Sequence, residues 1–92
     1  PLEWLSYAQL CDMPPGGTLS DPEAYFTDAI DGRLAPGEGV IPVAEMTRAL
    51  PHELPISLEI RSRFYRERYP DPIERAKAIL SQTQKFLTQH GL

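Results

Sequence analysis

The chain has 92 residues and a net charge of -4, which suits one small domain and lacks the basic stripe that nucleic-acid binding requires. Cys11 is the sole cysteine, so no intramolecular disulfide can form, and a cytoplasmic setting is expected. No apolar run reaches the about 18 residues of a membrane span, and no basic-then-apolar leader opens the chain. It starts at Pro1 without an initiator methionine, as processing or excision from a longer chain would leave it.

In chain order, "LSYAQLCD" (Leu5 to Asp12) mixes aliphatic, aromatic and small residues and stops at "MPPGG", which predicts a strand. "SDPEAYFTDAI" offers Ser20 or Asp21 as N-cap and Pro22 at the first position, so a short helix is expected over Pro22 to Ile30. "DGRLAPGEGVIP" is a loop on its Gly and Pro content. "VAEMTRAL" places Val43, Met46, Ala49 and Leu50 at helical spacing, predicting a crossover helix. "PISLEI" reads as a second apolar strand. "RSRFYRERYPD" reads as irregular or as one loose turn, a solvated rim rather than an RNA contact. The last helix is capped by Asp71 and Pro72. Its stripe is Ile73, Ala76, Leu80, Thr83 and Leu87, widened by Ile79 and Phe86.

Strands separated by helices argue for a parallel pair within an α/β fold. Both strands are continuously apolar, as helix-covered strands are. A pair of parallel strands alone would keep two open edges, which points to a piece of a larger sheet.

Ligands of parallel α/β folds gather beyond the carboxyl ends of the strands. Gln9 and Asp12 fall at the first such end and Glu59 at the second. Alternation sends Ile56, Leu58 and Ile60 to one face and Ser57 and Glu59 to the other. A carboxylate at a buried strand end needs a divalent metal or an arginine beside it, and Arg33, Arg61 and Arg63 are the candidates for the second role. Arg33, ahead of Gly37 and Gly39, could clamp an anion, although a plain crossover loop would also use those glycines. Cys11 reads as a small buried residue, and His52 and His90 as solvated.

Three segments in this order, "YAQLCD", "GRLAPGEGVIPVAEMTRAL" and "PISLEI", followed by "ERAKAILSQTQKFL", resemble the C-terminal part of a sugar phosphate isomerase/epimerase of the xylose-isomerase-like TIM-barrel superfamily. The resemblance spans about Leu5 to Leu87. It implies that residues 1–92 are the C-terminal quarter of a (β/α)8 barrel. Strands seven and eight would lie at about 5–12 and 55–60, with a short helix, a crossover helix and a long C-terminal helix. It implies that Glu59 binds a divalent metal (Mn, Mg, Zn or Co) and moves a proton next to a carbonyl, with the other ligands on strands outside this chain. Arg33, Gln9 and Asp12 would then face a carbohydrate or polyol substrate. Many relatives carry His-x-Lys-Asp where this chain has "QLCD", so Gln9 and Cys11 replace the histidine and lysine.

The same combination resembles the 3-dehydroshikimate dehydratase branch, which makes a lyase the rival activity. A non-catalytic fragment or binding module is the third reading. The expected partners are the small-molecule substrate and the rest of the barrel, with a homo-oligomer also allowed. Neither nucleic acid nor membrane is expected as a partner.

Overall fold

The computed structural model describes residues 1–15 and 21–92. After a 3-10 turn at Leu2–Trp4 come β1 (Ala8–Leu10), α1 (Pro22–Asp31), α2 (Val43–Arg48), β2 (Ile56–Leu58), α3 (Arg63–Arg68) and α4 (Pro72–Gln89). The strands pair in parallel, Ala8 with Ile56, Gln9 with Ser57 and Leu10 with Leu58. This is a mixed α/β arrangement in which both strands keep an outer edge. No helix among the described residues is long and apolar enough to cross a membrane.

Capping explains where the helices begin. Asp21 accepts the amide of Glu23 at 3.0 Å, with Pro22 at the first position of α1. Ser20, the other candidate cap, lies outside the described residues. Asp71 does the same for α4 by accepting the amide of Ile73 at 3.0 Å. The 61–69 stretch differs from the expected loose turn. Ser62 is buried and its hydroxyl accepts the Tyr65 amide at 3.2 Å, so an ordered α3 follows. The serine cap and the arginines that follow, which favour helix, outweighed the irregular look of the segment.

The strands are shorter than their apolar runs. Leu5 and Tyr7 remain exposed, and Glu59 follows the last paired residue. The core consists of Leu10, Val43, Ala44 and Phe86, with Ile41, Leu58, Leu87 and Leu92 packed against it. α2 therefore buries Val43 and Ala44, while Met46 is 55% exposed, a rotation from the expected face. α4 buries Thr83 and Phe86 and leaves Ile73 and Leu80 in solvent, so only the C-terminal half of its stripe is used.

Two isolated antiparallel bridges, Asp12 with Leu34 and Gly32 with Ser62, fasten the 32–34 segment to the carboxyl ends of both strands. That fastening positions the site.

Candidate functional site

Beyond the carboxyl ends of β1 and β2 lies a cleft of about 340 Å³ lined by Gln9, Leu10, Cys11, Arg33, Glu59 and Arg61. Gln9 faces it from β1, on the sheet face it shares with Ser57. Arg33 enters from the segment after α1, and Glu59 and Arg61 from the segment after β2. The main chain fixes the cationic side, because the Arg33 amide donates to the Arg61 carbonyl at 2.9 Å. The structure thus brings Gln9, Arg33 and Glu59 together. It also brings Cys11, which is half-buried, to the same cleft.

Asp12 does not line this cleft. It is fully buried, and its two carboxylate oxygens are saturated by main-chain amides. Oδ1 accepts from Met13 at 2.8 Å and Ile41 at 2.9 Å, and Oδ2 from Gly37 at 3.1 Å and Gly39 at 3.0 Å. The Asp12 amide and carbonyl also exchange hydrogen bonds with Leu34 at 2.8 and 2.9 Å. Its carboxylate orients the loop that carries Gly37 and Gly39 and has no free lone pair facing a substrate.

The loop tolerates no side chain at two points. Gly37 has φ +89, and a Cβ there would stand 2.6 Å from the Phe86 ring. A Cβ on Gly39 would stand 2.1 Å from the Met13 carbonyl oxygen. Between them Glu38 accepts the Ala35 amide at 3.0 Å and the Tyr65 hydroxyl at 2.7 Å, tying the loop to α3. Burial, then the Glu38 carboxylate, pushes the Tyr65 hydroxyl well above the usual tyrosine range.

Arg33 is held on two sides. One guanidinium nitrogen lies 3.2 Å from Asp28 Oδ2, and the other donates to Cys11 Sγ at 3.7 Å. Arg63 and Arg66 both reach Asp31, at 2.9 and 2.7 Å. Their hydrogen bonds, that of Arg66 foremost, hold the Asp31 carboxyl below the usual range and raise Arg66 above its own. Of the arginines considered for Glu59, Arg33 and Arg63 are thus committed elsewhere. Glu59 itself is exposed rather than buried and forms no ion pair among the described residues. The expectation of a buried, compensated carboxylate fails because the strand, expected to run to residue 60, ends two residues earlier at Leu58 and leaves Glu59 beyond its last paired residue.

No group of three or more His, Cys, Asp or Glu side chains among the described residues could enclose a cation. Glu59 supplies one carboxylate to a cleft that two guanidinium groups also line. That donor set fits a single arm of a metal shell; the described residues do not build the rest.

Sequence reasoning raised Arg61 only as a partner for Glu59 and assigned no role to Asp28. Arg61 was locally legible as the second residue past the strand-end glutamate. The Asp28 contact depends on how α1 sits on the 32–34 segment, which local pattern does not encode.

No protein-family model matches the chain, and neither a curated protein nor a solved structure matches it.

Proposed function

We propose that the chain is the C-terminal quarter of a (β/α)8 barrel that acts as an isomerase or epimerase on sugars or related polyols, with the site at the carboxyl ends of its strands. The observation that carries this reading is the convergence of Gln9, Arg33 and Glu59 on one polar cleft beyond parallel β1 and β2. The exposed surface supports it. The chain presents 6563 Å² to solvent, against roughly 5,400 Å² for a free-standing monomer of its mass. Both strand edges are open, as strands of a larger sheet would be once excised.

In this reading Glu59 takes the proton from the carbon next to the substrate carbonyl and returns it, to the neighbouring carbon in an isomerase or to the opposite face in an epimerase. Its exposure leaves both oxygens available. Gln9 and the remaining guanidinium N–H groups of Arg33 hold substrate hydroxyls. A divalent metal (Mn, Mg, Zn or Co) would take Glu59 as one ligand and the rest from strands outside the chain, polarising the carbonyl when bound. The protein acts on small molecules in the cytoplasm in this reading, without a nucleic-acid or membrane partner.

The test is exchange of substrate carbon-bound hydrogen with deuterated solvent, using the intact polypeptide that carries this segment and a panel of aldoses, ketoses and their phosphates. Glu59→Gln is expected to lower exchange by about 10²-fold or more, and chelation to abolish it with recovery on adding Mn or Mg. Undiminished exchange in Glu59→Gln would overturn the assignment. Formation of an ultraviolet-absorbing aromatic product from 3-dehydroshikimate would replace the isomerase with a lyase.

A further inference from the structure

The chain contains seven arginines, and the structure gives a side-chain partner to all but one. Arg33 has Asp28 and Cys11, Arg63 and Arg66 have Asp31, and Arg48 donates to the His90 carbonyl at 2.9 Å. Arg75 donates to the Tyr69 carbonyl at 3.4 Å, and Arg68 lies 5.8 Å from the centre of the Tyr69 ring. Arg61 alone has no side-chain partner among the described residues, and it lines the polar cleft with Glu59.

We infer that Arg61 is the specificity-determining residue of this cleft, the one that receives an oxyanion (carboxylate or phosphate) of the ligand, while Arg33, tied to Asp28, is left with hydroxyl contacts and does not seat the anion. The inference rests on the reading of the cleft as a ligand site. Three features carry it. First, a guanidinium shared between a carboxylate and a thiol sulfur has little of its charge left for an incoming anion, whereas Arg61 has all of it. Second, the Arg61 main chain is anchored although its side chain is exposed. Its carbonyl accepts the Arg33 amide at 2.9 Å, and the next residue, Ser62, is buried, bridges Gly32 and caps α3. Its Cα is therefore a fixed point at the cleft mouth, and only the side chain must order on binding.

The third feature is charge arrangement. With Arg33 offset by Asp28, the cleft presents one free cation and one free carboxylate among the described residues, with Gln9 beside them. A ligand that matches both carries an anionic group for Arg61 and hydroxyl donors for Glu59 and Gln9. A dianion without donors would meet Glu59 unfavourably, and a neutral polyol would leave Arg61 unused.

The experiment is a two-dimensional NMR titration of the intact polypeptide that carries this segment, following backbone amides and arginine Nε–H signals. The probes are inorganic phosphate, gluconate and the neutral polyol glucitol. The expected result is a saturable shift of the Arg61 Nε–H signal with gluconate or phosphate, the tighter of the two naming the oxyanion. Gluconate should also shift Gln9 and Glu59, and glucitol should bind at least tenfold more weakly. Arg61→Gln is expected to weaken anion binding at least tenfold, and Arg61→Lys to restore part of it. Arg33→Gln should lower the melting temperature and weaken anion binding severalfold less than Arg61→Gln does. Saturable shifts that centre on Arg33, or equal binding of glucitol, would overturn the role of Arg61 while leaving the cleft a ligand site. Absence of any saturable shift at Gln9, Arg33, Glu59 or Arg61 would overturn the ligand-site reading itself and this inference with it.

Discussion

Asp12 Oδ2 accepts the Gly39 amide at 3.0 Å, across 27 positions of sequence, and the same residue's Oδ1 would stand 2.5 Å from any Cβ placed on that glycine. The contact is thus both a hydrogen bond and a steric limit. It lets one buried carboxylate gather the whole 37–41 turn.

Replacing Asp12 by Asn is the direct test of that role. Asparagine keeps one oxygen, so in either orientation two of the four amides lose their acceptor and face an NH2 group. Each orphaned buried amide costs about 1–3 kcal/mol, so a loss of about 2–6 kcal/mol is expected in urea unfolding. A loss below about 1 kcal/mol would mean that the loop is held by something else.

The two loop glycines should respond differently to alanine. At Gly39 the obstacles are a backbone carbonyl and the buried Asp12 carboxylate, neither of which can move aside, and about 3 kcal/mol or more should be lost. At Gly37 the obstacle is the Phe86 ring, added to a left-handed backbone cost of about 1–2 kcal/mol. Phe86→Leu should therefore soften the effect of Gly37→Ala and leave Gly39→Ala unchanged. A double-mutant cycle reads that coupling.

Tyr65 predicts the alkaline limit of stability. Its hydroxyl is raised above the ordinary tyrosine value by burial first and then by Glu38. A folded value above the unfolded one stabilises fully below about pH 10 and is lost as pH rises past it, because the unfolded chain then releases the proton first. Thermal midpoints measured from about pH 9 to about pH 12 should fall more steeply for the native chain than for Tyr65→Phe. Parallel curves would remove Tyr65 from the explanation.

Asp31 contributes on the acid side. Arg66 and then Arg63 hold its carboxyl low through hydrogen bonds. A depressed folded value gives stability that is complete above the unfolded carboxylate value of about 3.9 and is lost as pH falls through the folded one. NMR titration of the Asp31 side chain should find a midpoint below the ordinary carboxylate value, and Arg66→Gln should move it upward. An unmoved midpoint in that variant would assign the depression to another cause.

The helix starts were legible because caps are local: Asp21-Pro22 and Asp71-Pro72 each declare their helix within a few residues. The parallel pairing was legible from the alternation of elements, since a crossover leaves few other arrangements. α3 was not, because its serine cap lies inside a basic, aromatic run without an apolar stripe, and the burial of Ser62 comes with a bridge to Gly32, 30 positions upstream. The buried faces of α2 and α4 were misjudged for a related reason. Periodicity identifies an apolar stripe, but the amount of it that is covered depends on neighbouring elements, and Met46, Ile73 and Leu80 find none here. In the site, Gln9 and Glu59 were visible as polar residues at or near strand ends, and Arg33 as an arginine ahead of the Gly37 and Gly39 loop. Asp12 was visible too, yet its role lay in four main-chain amides that carry no sequence signature.

The pairing of Ala8 with Ile56 has a kinetic meaning. The first strand cannot gain its partner until all the intervening chain, including the Asp12-bound loop and α2, has been traversed. Closing a connection of that length costs roughly 3 kcal/mol in chain entropy beyond the closure of a minimal turn. The sheet therefore forms late. Asp12 joins residues on the near side of that connection, so the loop around it can assemble beforehand and shorten the distance β2 must search. A chain truncated before Ile56 should already protect the Gly37 and Gly39 amides from exchange while Gln9 and Leu10 remain open.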